Sequence, residues 1–143
     1  MDAGKKDKVV AALKSEVPDV AAMVIMDEAG TVLVNTSKSN DAKELGALPK
    51  AFDDREAAVM NGVVLEQTRY EVHKHHPECN PGLVYGRTMH PKEDPLNSTG
   101  FMMAKFPSGP TGKPLVVMAT YAMPNISARM IPEVTAFINK HFF

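Results

Sequence analysis

Met60-Asn61-Gly62-Val63-Val64-Leu65-Glu66-Gln67-Thr68-Arg69-Tyr70-Glu71-Val72 is the stretch from which the architecture follows. Asn61-Gly62 breaks the pattern before it, and Val63 to Leu65 is a short apolar run. From Arg69 to Lys74 polar and apolar residues alternate, which is the period of a half-buried strand. The two runs read as a hairpin with Tyr70 and Val72 turned inward, and Arg69, Glu71 and His73 turned outward.

Upstream, residues 41 to 60 have helical spacing around Ala51, Phe52, Arg55 and Val59, but Gly46 and Pro49 interrupt it, so two short helices are an alternative to one. Val20 to Met26 is an almost unbroken apolar run, followed by the turn residues Asp27 to Gly30 and a β-branched run from Thr31 to Thr36. These form a first hairpin. Its lack of alternation predicts a strand covered on both faces. Lys5 to Glu16 spaces Val9, Val10, Leu13 and Val17 as an amphipathic helix that Pro18 stops.

Downstream, Leu83 to Met89, Gly100 to Phe106 and Pro114 to Met123 are three further strands separated by Pro, Gly, Asn and Ser. A terminal helix follows from Asn125 to Phe143, with Ile126, Met130, Val134, Phe137 and Ile138 in helical period and Asn125 placed to cap it. Pro132 should kink this helix or mark a fresh start. The order predicts an α+β fold: an antiparallel sheet of about six or seven strands flanked by helices, with the N- and C-terminal helices on one face. Residues 1–143 match the usual size of one domain.

Sixteen basic and seventeen acidic residues leave a formal charge of −1, so no overall field draws the chain to nucleic acid or anionic membrane. The one cysteine, Cys79, has no partner for an internal disulfide, which fits a reducing compartment and a cytoplasmic location. No apolar run reaches the about 20 residues a spanning helix needs, and the N-terminus lacks a signal-peptide core. The sequons at Asn35, Asn97 and Asn125 would matter only in a secreted chain.

Four potential metal ligands, His73, His75, His76 and Cys79, fall within seven residues. His73 and His75 are expected on one strand face, with His76 and Cys79 in a Pro-containing turn. No second ligand pair is spaced to close the site, so a solvated hairpin tip outweighs a metal centre. Cys79 with His76 is the only nucleophile–base pair, and it lacks an orienting third group. Gly109-Pro110-Thr111-Gly112 is a hairpin turn, since it lacks the Lys-Ser ending of a phosphate loop. Arg69, Lys74, Arg87, Lys105 and Arg129 taken alone are scattered surface charges. Phe137, Phe142 and Phe143 are terminal-helix aromatics; 142 and 143 point about 100 degrees apart on a helix, so at least one is exposed.

The Met60–Leu65 run followed by Arg69-Tyr70-Glu71-Val72 resembles the profilin segment in which Asn-Gly opens a strand and a short hairpin leads into a basic-Tyr-x-Val strand. Gly100 to Phe106 resembles the family's Gly-x-x-x-x-Lys strand, Leu115 to Tyr121 its apolar strand ending in Tyr, and Glu133 to Phe143 its closing helix. The likeness covers about residues 57 to 143, and Val20 to Thr36 more loosely. It implies a protein without cofactor or enzymatic activity that binds monomeric actin and regulates filament assembly. The implied contact face comprises Met60, Arg69, Glu71, Lys74, Arg87, Lys105, Arg129 and Glu133, with charge-assisted pairing to actin. Proline-rich proteins such as formins, phosphoinositides and a monomeric state are further implications.

The chain departs from the family in three places. It has no Trp and its first helix has no aromatic, so of the polyproline cradle only Phe137 and Phe143 remain. Glu66-Gln67-Thr68 replaces the family's glycines after Leu65, and the loop from Pro91 to Ser98 is longer. The alternative is a roadblock-like scaffold or dimerisation module acting on small GTPases or motors. That family has three strands after the middle helix, where this sequence offers five. A ligand-sensing domain of the same shape would need a buried pocket.

Overall fold

A computed structural model describes residues 2–88, 98–110 and 112–143. Of the loop from Pro91 to Ser98, only Ser98 lies within the described residues, and Met89, His90 and Asn97 lie outside them.

Helix α1 (Ala3–Glu16) starts where Asp2 accepts the Lys5 N–H at 2.8 Å, and it buries Val9 and Leu13. Strand β1 (Ala22–Asp27) is buried at every residue, as its unbroken apolar run predicts, and pairs with β2 (Val32–Asn35). The helical region divides into α2 (Ala42–Ala47), a 3-10 turn from Leu48 to Phe52 holding Pro49, and α3 (Arg55–Asn61). Asp41 and Asp54 cap the two α-helices, and Gly62 ends α3 at φ +70°. The two-helix reading is the one observed.

Five strands follow: β3 (Val63–Leu65), β4 (Thr68–His76), β5 (Gly82–Thr88), β6 (Thr99–Phe106) and β7 (Leu115–Ala122). They join the first hairpin in one seven-stranded antiparallel sheet ordered β2-β1-β7-β6-β5-β4-β3. Glu66 and Gln67 close the β3–β4 turn at φ +56° and +62°, a left-handed conformation that suits Gly far better than L side chains. The Glu44 carboxylate holds it by accepting the N–H groups of Glu66 at 2.6 Å and Gln67 at 3.2 Å.

Helix α4 (Ser127–Phe142) corrects one expectation. Asn125 does not cap it: its Nδ2 donates to the Ala122 carbonyl and its Oδ1 accepts from Arg129, while Ile126 occupies the cap position. Of the two outcomes expected at Pro132, the fresh start is not the one observed: the proline sits inside the helix, on its exposed side. The missing N–H there leaves only the exposed Ala128 carbonyl without its helical partner, and water can supply that.

The sheet separates two cores. On one face α1 and α4 cover Met23, Ile25, Met102, Val117 and Tyr121, with Val9, Leu13, Met130 and Val134 as the helix contribution. On the other, α2, the 3-10 turn and α3 cover Val24, Met26, Tyr70, Phe101 and Met118 through Leu45, Phe52 and Ala58. The terminal helices therefore share one face, as predicted. Among the described residues, no helix is long and apolar enough to cross a membrane.

Candidate functional site

The β4–β5–β3 end of the sheet extends beyond α4, and side-chain parity decides what it presents. Tyr70 and Val72 point into the α2/α3 core, so Arg69 and Glu71 point to the opposite face, with Glu71 beside Arg87 across the ladder. Regular alternation would then send Lys74 to the side of Val72. A bulge between Val72 and Lys74 prevents that. It sets Lys74 opposite Tyr85, whose side chain packs on the α1/α4 side, and so returns Lys74 to the face of Glu71 and Arg87.

Gly86 permits this close pairing. A Cβ there would lie 1.8 Å from the Glu71 carbonyl oxygen, which no side chain could accept without moving the strand. On the sheet's outer end, Arg69 donates to the Met60 carbonyl at 2.6 Å, so its guanidinium also satisfies a free carbonyl at the end of α3. Arg87 is anchored by contacts to Met123 Sδ at 3.1 Å and Ser98 Oγ at 3.4 Å. The structure thus brings Met60, Arg69, Glu71, Lys74 and Arg87 to one open surface, three cations against one carboxylate.

Three residues that the sequence groups with them lie elsewhere. Lys105 follows Phe101 and Met103 in parity, so it emerges on the α2/α3 face and pairs with Glu28 at 2.9 Å. Arg129 and Glu133 do stand at the start of α4, but on its α1 side. The Arg129 guanidinium binds Asp19 in the α1–β1 connection as well as Glu133, and these acceptors raise its pKa further.

The aromatic pair is divided as well. Phe137 is buried in the α1/α4 core, whereas Phe143 is exposed and rests on Phe106 with ring centroids 5.6 Å apart. Phe142 is buried beneath the Lys5 ammonium, 5.9 Å from its ring centre. The bulge also corrects the expected shared face of His73 and His75. His73 lies 3.9 Å from Glu71, while His75 reaches across the other face to the Ala51 carbonyl at 2.7 Å. His76 faces Glu78 and Cys79 is exposed; among the described residues, no three His, Cys, Asp or Glu side chains are grouped to hold a metal.

The sequence reading placed Met60 on this surface but missed the apolar residues near it, Val59 and Val64. Val59, Met60 and Val64 are all exposed, and Val64 pairs with Arg69. The signal was present for Val64, because the inward pair Val63 and Leu65 forces the residue between them outward. Two tyrosines frame the region from within. Burial, reinforced by the Glu66 charge, pushes Tyr70 up to about 12. Burial also raises Tyr121, whose hydroxyl donates to the Phe101 carbonyl and meets Ser127 Oγ.

No protein-family model and no curated protein sequence matches the chain. Solved structures do: profilin from Schizosaccharomyces pombe superposes with a TM-score of 0.68 at 15% identity, covering 94% of each chain. The fold is the profilin fold. Acanthamoeba castellanii profilin II gives a TM-score of 0.65 at 17% identity over 93% of each chain. LokiProfilin1, from a complex with rabbit actin, gives 0.66 at 11% identity, covering 97% of this chain and 95% of that one. Identities this low on a shared profilin fold leave the surface chemistry to be argued from this chain's own residues.

Proposed function

We propose that this chain binds monomeric actin through the surface formed by Met60, Arg69, Glu71, Lys74 and Arg87, together with Val59 and Val64, and acts as a cytoplasmic regulator of filament assembly rather than as an enzyme. The observation carrying the reading is that a bulge and a glycine, both otherwise unfavourable to a regular ladder, turn Lys74 onto the face that already holds Glu71 and Arg87. Exposed apolar side chains beside charged ones are the composition of a protein interface: the apolar part supplies affinity and the charged rim sets association rate. Further support comes from the solved structures of Loki profilins of the same fold, two of which are complexes with rabbit actin.

Arg129, Glu133 and Lys105 stand outside the proposed surface. A proline-rich ligand is also left out, because Phe143 is exposed while Phe137 is buried. The five strands after the middle helices favour this reading over a roadblock-like module. The test is the double variant Met60→Asp, Lys74→Glu, two exposed positions whose side chains make no hydrogen bond or ion pair among the described residues. Its affinity for monomeric actin should fall by about tenfold or more with the thermal midpoint unchanged. Wild-type affinity in that variant would refute the assignment.

A further inference from the structure

We propose that oxidation of the Met60 thioether to its sulfoxide by a hydroperoxide switches off the surface proposed for actin, an inference that rests on that reading. The chain has ten methionines, of which eight fall within the described residues. Met23, Met26, Met102, Met103, Met118 and Met130 are exposed by 1% or less, inside the two cores. The other two, Met60 and Met123, both stand at that surface, one as an apolar contact and the other as an anchor of Arg87.

Exposure and electronics separate these two sulfurs. Met60 is 76% exposed at the end of α3, and its sulfur takes part in no hydrogen bond among the described residues. Met123 is half-buried, and its Sδ accepts from the Arg87 guanidinium at 3.1 Å. Oxidation begins with a sulfur lone pair attacking a peroxide oxygen, so a sulfur that shares its lone pair with a cation is the poorer nucleophile. Met60 therefore reacts first. An S–O bond forms as the O–O bond breaks, and the sulfur is oxidised by two electrons. The departing oxygen takes the proton of the attacked one and leaves as water from hydrogen peroxide, or as an alcohol from an organic hydroperoxide.

The product changes the surface and leaves the fold alone. A sulfoxide replaces a soft apolar tip by a strong hydrogen-bond acceptor, and inside a contact that oxygen loses its water. Val59 and Val64, the other exposed apolar side chains of the surface, have no donor to offer it. The main chain at Met60 is held independently of the sulfur, since its carbonyl accepts from Arg69 at 2.6 Å. A thiol-dependent methionine sulfoxide reductase removes the oxygen as water while two thiols become a disulfide, so the change is reversible.

The test uses the full chain with Cys79→Ser, which removes the exposed thiol as a competing sulfur. The protein is treated with hydrogen peroxide, and the peroxide is destroyed before actin is added. Site-resolved mass spectrometry, affinity for monomeric actin and the thermal midpoint are read on the same samples. Met60 sulfoxide should form before Met123 sulfoxide, with the six buried methionines last. Affinity should fall by about tenfold in step with Met60 oxidation, at an unchanged midpoint, and sulfoxide reductase should restore it. The same protein carrying Met60→Leu should keep its own starting affinity through the treatment, whatever that affinity is. Full oxidation of Met60 at unchanged affinity overturns the switch and leaves the actin reading standing, and so does an equal loss in the Met60→Leu protein. Failure of the unoxidised protein to bind actin overturns the reading and the switch together.

Discussion

Replacing Gly86 by Ala tests whether the bulge is built into this sheet as described. The new methyl would meet the Glu71 carbonyl oxygen at 1.8 Å, the Glu71 carbonyl carbon at 2.9 Å and the His73 nitrogen at 3.0 Å. Carbon–oxygen contacts normally begin at about 3.3 Å, so roughly 1.5 Å must be made up by main chain rather than by a swinging side chain. Overpacking of this kind costs about 3 kcal/mol, which in a chain this long lowers the thermal midpoint by about 10 °C. Gly46→Ala is the matched control: nothing lies within 4 Å of its added Cβ, and the site is in α2. There alanine should raise stability by about 0.5–1 kcal/mol. Circular dichroism melts of both variants decide the matter. A Gly86→Ala midpoint within about 2 °C of wild type would show that the β4–β5 approach is looser than described. If the ladder escapes the clash by losing its bulge, Lys74 changes faces, and affinity for actin should fall although no proposed contact residue has been altered.

Gln67→Gly should raise the midpoint by about 2–4 °C, because it relieves a left-handed φ of +62° on an exposed turn; a lowered midpoint would contradict the turn geometry. The Lys140 hydrogen bond, with a smaller one from His141, holds the Glu16 carboxyl below its ordinary range. The α1–α4 tie is therefore present above the unfolded carboxyl pKa and lost as pH falls through the folded value; Glu16→Gln should flatten that part of the acid stability curve. Tyr70 has the opposite sign: burial first, then the Glu66 charge, raises it from 10.0 to about 12. Its contribution is complete below pH about 10 and is lost as pH rises towards 12, so Tyr70, with the also raised Tyr121, should ionise late in an ultraviolet titration, and Tyr70→Phe should reduce the amplitude of that late step by one tyrosine.

Local chemistry made much of the fold legible. Asp27 to Gly30 and Asn61-Gly62 mark turns by residue type, and the unbroken run of β1 announces a strand covered on both faces. Gly46 and Pro49 mark the break that became α2, a 3-10 turn and α3. Asn125 misled because an Asn at a helix start satisfies either the helix or the turn before it, and here the Ala122 carbonyl and Arg129 hold both ends of its amide.

The site was less legible, for a reason that lies in how sheets encode direction. Alternation labels faces only where one face is wet. In β4 it correctly turned Tyr70 and Val72 inward, but in β6 both faces are covered, and Gly100 to Ala104 are all buried, so no pattern shows which way Lys105 emerges. A bulge then inverts the label for everything after it, and the only trace of this one in the sequence is a glycine on the partner strand. Helix period has the same blindness: it separates the buried stripe of α4 from the exposed one but cannot say which flank meets α1. The Asp19 carboxylate, more than a hundred residues away in the chain, settles that Arg129 turns towards α1. A binding face assembled from strand and helix residues is thus fixed by parity, register and the neighbour on each flank, none of which a charge at a given position reveals. That is why five of the eight residues grouped by resemblance share one surface while three equally plausible charges do not.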